Sequence, residues 1–230
     1  MNKENKISNK MKLLVFDTET SGLPEERGQS LYDTHKWPYI MQLSYLFYDS
    51  SSNEIIELYD SLVRLDNTIV ISEQSLAVHN ITRDKCNNSG QPIKTVLASF
   101  INALMSADVI IGHNIQFDIN IIRVECIRNN IKFNFNMNKE NKPITHYFTM
   151  KKGKNITNIE STSFSGTKYL KYPKLIELYK HYFNEEVNGL HNALTDILVC
   201  FRCYYKIEHN ADIFDVLKNN LEIQQAFPII

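Results

Sequence analysis

The sequence predicts an α/β fold, a mixed sheet flanked by helices. Apolar runs of strand-like character come early in the chain and then alternate with amphipathic helical stretches, the pattern of an α/β sandwich. No internal repeat and no long linker interrupts the 230 residues, a length that suits one sizeable domain with its own core. The expected organisation is a disordered tail over residues 1–10, a single domain over 11–208, and a short helix with an apolar tail over 209–230.

Each element has a local reason. Leu13–Phe16 is a continuous apolar run leading into "DTETSGLP", so the first strand is buried. Side chains alternate along a strand, which puts Asp17 and Glu19 on one face and Thr18 on the other. A polar loop from Pro24 to Pro38 follows, with Trp37 as its anchor. "IMQLSYLFYD" (Ile40–Asp49) and "EIIELYDSLVR" (Glu54–Arg64) read as two strands joined by the turn "SSSN". A short helix covers Ser72–Val78, and another starts after Pro92 and runs over Ile93–Ser106. "DVIIGHN" (Asp108–Asn114) is a strand, and Phe117–Asn129 is apolar on enough faces to be a buried helix. From Ile131 to Thr167 the pattern is weak, apart from a short strand at His146–Met150. Helices at Pro173–Phe183, Ala193–Ile207 and Asp212–Leu221 complete the chain.

Composition narrows the function. Hydrophobic residues make up 43% and charged residues 22%, as in ordinary globular proteins. A net charge of −1 supplies no overall basic field, so a nucleic-acid partner would have to be held by a local patch or by metal ions. Lys151, Lys152, Lys154, Lys168, Lys171 and Lys174 concentrate positive charge in one part of the chain, either as a solvated surface or as a groove that tracks phosphates. Four cysteines are few for a disulfide scaffold, and Cys200 and Cys203 sit inside an apolar helical pattern as core thiols. The polar N-terminus has no signal-peptide run and no segment is long enough to span a membrane; an intracellular protein without membrane association is expected.

The acids carry the chemistry. Asp118 opens the buried helix after "GHN", and Asp196 lies in the first turns of the last long helix. With the first strand central, both helices can bring their acids beside Asp17 and Glu19. Four carboxylates in one place are unstable as bare anions, but they make a cage for hard divalent cations, which take oxygen ligands. A pair of Mg²⁺ or Mn²⁺ ions about 3.5–4 Å apart can clamp a phosphodiester and activate water. His191 precedes Asp196 by five residues, a rotation of about 140° on a helix. It therefore belongs on the loop before the helix, where an imidazole can take a proton from water near neutral pH.

The ordered set Asp17-x-Glu19, Asp118, His191-x4-Asp196 resembles the DEDDh 3′–5′ exonuclease family. "FDTETSGL", "PYIMQLSY", "GHNIQFDINII" and "GLHNALTDILV" fit its motifs in order, and the likeness spans Lys12 to Ile207. The resemblance implies a ribonuclease H-like mixed five-stranded sheet and removal of nucleotides one at a time from a 3′ end. By similarity, Asp17, Glu19 and Asp196 hold the metal pair with Asp17 bridging, Asp118 supports the second metal through water, and His191 is the base. Asn192 excludes the sister subfamily, which has Tyr-x3-Asp in the last motif. Thr20, Gly22 and Leu23 lie where family members meet the terminal nucleotide, and Asn114 is a further candidate contact. Phe117 reads as core and His113 as a structural residue lining the pocket. Where the family has His-Gly-Ile-Thr this chain has "HNIT", and Asn80 tolerates the same positive φ as glycine. The expected substrate is DNA with a free, unpaired or frayed 3′ end, in proofreading or repair, with a DNA polymerase as candidate partner. An enzyme that trims RNA 3′ ends is the alternative within the same chemistry, and a non-catalytic nucleic-acid-binding module is the alternative outside it.

Overall fold

The run Leu13–Phe16 is fully buried because β1 (Lys12–Thr20) is the central strand of a five-stranded sheet. A computed structural model describes residues 10–217, so the expected disordered tail, Lys10 apart, and the end of the last helix with its apolar tail lie outside the described residues. β2 (Ile40–Asp49) pairs antiparallel with β1, and β3 (Glu54–Leu62) antiparallel with β2. Three helices follow: α1 (Glu73–His79), α2 (Arg83–Ser89) and α3 (Ile93–Leu104). β4 (Val109–Gly112) then pairs parallel with β1 and leads into α4 (Ile115–Arg128). β5 (Thr145–Phe148) adds parallel to β4 and passes directly into α5 (Thr149–Thr157). A separate hairpin, β6 (Glu160–Thr162) and β7 (Lys168–Leu170), precedes α6 (Leu175–Phe183), α7 (Ala193–His209) and α8 (Ile213–Leu217). The sheet order is β3-β2-β1-β4-β5, the mixed five-stranded arrangement with flanking helices that the sequence predicts.

Strand alternation divides the interior of the sheet into two main cores, beside a smaller cluster of Met41, Leu65, Ile81 and Cys86. Leu14 and Phe16 point into one, with Val96 and Phe100 of α3 and Ile119 of α4. Leu13 and Val15 point into the other, with Leu178 of α6 and Ile197 and Phe201 of α7. Covering both faces removes any need for polar alternation, which is why β1 reads as an unbroken apolar run. The two helices that carry candidate acids, α4 and α7, therefore approach β1 from opposite faces. The β1–β2 register shifts between Glu19 and Thr20, so the ladder becomes irregular beside the acids.

The departures from expectation are local. The third strand stops at Leu62, since Val63 leaves that ladder and bridges to Gln91. His113 and Asn114 turn out of β4 toward α4, and Met150 belongs to α5. Neither α2 nor α5 was expected. Each buries little, Cys86 in α2 and Thr149 with Gly153 in α5, so neither writes an apolar stripe into the sequence. Trp37 is buried, and its Nε1–H donates to the Ser30 carbonyl at 2.9 Å, which makes it the loop anchor expected. All four cysteines are buried free thiols. Among the described residues no helix is long and apolar enough to cross a membrane.

Candidate active site

Strand geometry and two helix starts bring the acids together at the end of β1. Asp17 and Glu19 leave β1 on the α7 side, where Asp196 enters from the first turn of that helix. One carboxylate oxygen from each of these three residues lies within 4.8 Å of the others. Asp118, in the first turn of α4, is 5% exposed and reaches the strand end from the opposite side. Its Oδ1 accepts from the Thr18 backbone N–H at 3.1 Å and from the Thr18 hydroxyl at 2.7 Å. The residue between the two strand acids thus fixes the third one in place.

The α7 start is held with equal care. His191 adopts φ 66°, a left-handed conformation on the loop before the helix, and its backbone N–H donates to Asp196 Oδ2 at 3.3 Å. The Asn192 side chain caps the helix by accepting from the N–H groups of Leu194 and Thr195. The Ala193 N–H donates to Oε1 of the buried Gln42, whose Nε2 donates to Asp60 of β3. His191 itself is exposed.

Burial and mutual repulsion load this cluster with protons. Burial first, then the neighbouring acids, pushes Glu19 up to about 8 and holds Asp17 well above the carboxylate range. Burial pushes Asp196 up to about 7, and it takes Asp118 to about 6 against the lowering effect of the Thr18 hydrogen bonds. Among the described residues no lysine or arginine pairs with any of the four. Asp196 Oδ1 is buried with no hydrogen-bond partner among the described residues. An all-oxygen donor set with an orphaned carboxylate oxygen at its centre fits hard divalent cations. Asp17, Glu19 and Asp196 would hold them, with Asp118 behind.

These acids form one wall of a cleft of about 630 Å³. Asn114, expected to contact the bound strand, lines the cleft, and its side chain makes no helix-capping bond. Phe117 also lines it, against the expectation of a core residue, because positions 114, 117 and 118 share one face of α4. His113 is structural as expected. Its Nε2 donates to the Pro173 carbonyl at 2.9 Å, because a carbonyl only accepts, and its Nδ1 lies 3.0 Å from the Thr149 hydroxyl. Thr20, Gly22 and Leu23 lie beyond the acid cleft: Thr20 is buried and its hydroxyl bonds the Gly22 carbonyl, while Gly22 and the 75% exposed Leu23 line a neighbouring depression. Sequence reasoning missed His79, whose Nδ1 accepts from Ile81 N–H and whose Nε2 therefore donates to the Thr20 carbonyl at 3.1 Å. Its signal was the "HNIT" stretch itself. Sequence reasoning also missed Met150 and Tyr172 of the opposite wall, which left no periodic signal.

The RNase_T family model, described as exonuclease, matches residues 14–204. No curated protein matches the sequence. Among solved structures, E. coli Exonuclease I in complex with a dT13 oligonucleotide aligns with a TM-score of 0.64 and 16% identity over 90% of this chain. The same enzyme in complex with a dA16 oligonucleotide gives 0.62 and 16% over 91%, and a product-bound structure of exonuclease I gives 0.65 and 15% over 91%. The chain spans 43% to 46% of the length of those proteins.

Proposed function

The chain belongs to the RNase_T exonuclease family of the DEDDh type, and from that premise we propose that it is a metal-dependent 3′–5′ exonuclease acting on DNA with an unpaired or frayed 3′ end. The convergence of Asp17, Glu19 and Asp196 within 4.8 Å, with His191 on the adjoining loop, carries this reading. Two Mg²⁺ or Mn²⁺ ions bound there would polarise the scissile phosphate and stabilise the leaving oxygen. Asp17, Glu19 and Asp196 would supply the negative charge that holds the cations, and Asp118, pinned by Thr18, would support them from the far side of the strand. The His191 imidazole takes the proton of the attacking water at a ring nitrogen. Water oxygen bonds to phosphorus, the bond from phosphorus to the 3′ oxygen of the preceding nucleotide breaks, and that oxygen takes a proton from solvent. The products are a nucleoside 5′-monophosphate and a strand one nucleotide shorter.

The terminal nucleotide would meet Asn114 and Phe117 inside the cleft and Thr20, Gly22 and Leu23 at its edge. His79, which holds the Thr20 carbonyl, would keep that edge in position. DNA is favoured because exonuclease I, similar in fold, was solved with dT13 and dA16 strands. Removal of a frayed 3′ nucleotide is the step that proofreading and repair share, and a DNA polymerase is the partner such a step would serve. Four buried thiols accord with an intracellular setting.

The test is a gel assay on single-stranded, blunt and 3′-recessed DNA and on single-stranded RNA, each labelled at the 5′ end. A ladder shortening from the 3′ end in Mg²⁺ or Mn²⁺, abolished by EDTA and by Asp17→Ala, is expected, with DNA degraded faster than RNA. Faster RNA trimming would replace the substrate and keep the chemistry. Intact strands in every lane, with binding retained in EDTA, would replace the enzyme with a binding module.

A further inference from the structure

The opposite wall of the cleft continues into an element that the chemistry does not use. Met150 lines the cleft, and Lys154, one turn further along the same face of α5, sets its Nζ 5.1 Å from the centre of the Tyr172 ring. Tyr172 is itself half exposed and lines the cleft. The wall is rigid at this point: the Gly153 Cα lies so close to Pro173 that an added Cβ would sit 2.9 Å from Pro173 Cγ. His113 clamps the Pro173 carbonyl, and Lys171 pairs with Glu177 at 2.5 Å.

The β6–β7 hairpin leads through Lys171 directly into Tyr172 of this wall, and its base is closed by the Lys171 N–H donating to the Ile159 carbonyl. Strands of three residues extend about 10 Å at ~3.3 Å per residue. Their turn is closed by hydrogen bonds from Gly166 N–H to the Ser163 carbonyl and from Ser163 N–H to the Thr167 carbonyl, with Gly166 at φ 83°. On that pinned turn Phe164 is 111% exposed, and Tyr169 on β7 is half exposed. The two rings stand in water on a segment whose Lys168 pairs with Glu160 at 3.6 Å and whose Lys171 pairs with Glu177, next to a cleft wall where Lys154 lies over the Tyr172 face. An ordered aromatic surface that runs through Tyr172 into an acid cleft, with Lys154 at the join, matches one chemistry, a single-stranded polynucleotide, whose bases stack on π-faces while its phosphates seek cations.

We propose that the β6–β7 hairpin is a stacking platform for the single strand 5′ of the cleft, with Phe164 and Tyr169 holding bases and Lys154 and Tyr172 linking platform to cleft. This rests on the exonuclease reading and assigns the part of the strand that the cleft does not hold. The platform makes affinity depend on strand length: a short strand ends inside the cleft, and a long one reaches the hairpin.

The test uses the full chain with Asp17→Ala to block turnover, alone and with Phe164→Ala and Tyr169→Ala together. Fluorescence anisotropy then measures binding of 5′-labelled oligothymidylates of about 3 and about 15 nucleotides, within the site sizes of strand binders. Losing two stacking aromatics is expected to weaken the longer strand tenfold or more and the shorter one by less than about twofold. Phe164→Trp with Tyr169→Phe, which keeps both rings, is expected to bind the longer strand as the parent does. In the active chain, the same alanine pair is expected to raise KM for the longer strand with kcat retained. Unchanged affinity for the longer strand would overturn the platform and leave the hairpin for a protein partner. Equal loss at both lengths would also overturn it, because the effect would then come through the cleft. A chain that degrades nothing yet keeps the length-selective loss would sink the exonuclease reading and leave the platform standing.

Discussion

His191 is the residue on which the proposed hydrolysis turns, and the fold isolates its side chain from the packing. Its backbone is fixed by the left-handed φ and by the bond to Asp196, while its ring is exposed. His191→Asn, which removes the imidazole but keeps a residue that tolerates this left-handed φ, should therefore lower kcat by about 10²–10⁴, the usual worth of a positioned base, and leave the thermal midpoint unchanged. Asp17 is the opposite case, buried among like charges with no cation beside it among the described residues. Asp17→Asn replaces a carboxyl whose ionisation burial and its acidic neighbours oppose, so at pH 8 without divalent ions it should raise Tm by about 2–4 °C, the equivalent of ~1 kcal/mol, while abolishing strand degradation. A melting curve in EDTA checks it, and a lower Tm would mean that something other than a cation stabilises that carboxylate.

The helix ends show how this sequence solves a recurring problem. Among the described residues, the non-glycine positions with positive φ are all asparagines except His191, and Asn80, Asn158, Asn184 and Asn210 occupy the caps that end α1, α5, α6 and α7. The chain has only seven glycines, and asparagine takes the left-handed role that glycine commonly fills. Asn80→Gly should leave stability within about 0.5 kcal/mol, whereas Asn80→Ala should cost about 1–2 kcal/mol, as urea unfolding would measure. Reading "HNIT" as a tolerated exchange was sound because it rested on φ. The abundance of asparagine in loops reads from sequence as composition, since a cap lacks periodicity. Elements with an apolar stripe or run were legible: β1, β2, α3, α4 and α7 begin within two residues of expectation. α5 and the β6–β7 hairpin were not, because they bury almost nothing and are held by Gly153 against Pro173 and by backbone bonds. The acids were legible for a related reason: strand alternation and helix starts fix their direction, whereas Tyr172, outside any helix or strand, acquires its direction only from tertiary packing.

At the scale of the molecule, two cores hold α4 and α7 on opposite faces of β1, so folding itself drives four carboxylates together. The sign of the resulting pH dependence follows from their raised values. Glu19 near 8, Asp196 near 7 and Asp118 near 6 bind protons more tightly in the folded chain than in the unfolded one, where they titrate near 4. Their contribution to stability is fully present below about pH 4 and is lost as pH rises through 6 to 8. Without divalent ions Tm should fall across that window, and Mn²⁺ should restore it most at pH 8, where the fewest of these carboxylates hold protons. The central claim, that the acids at the end of β1 form a divalent-cation cage, is tested most directly by calorimetric titration of Mn²⁺ into the chain at pH 8. Two ions per chain are expected, with binding lost in Asp17→Asn and protons released into the buffer. No binding at millimolar Mn²⁺, or binding that survives Asp17→Asn unchanged, would contradict it.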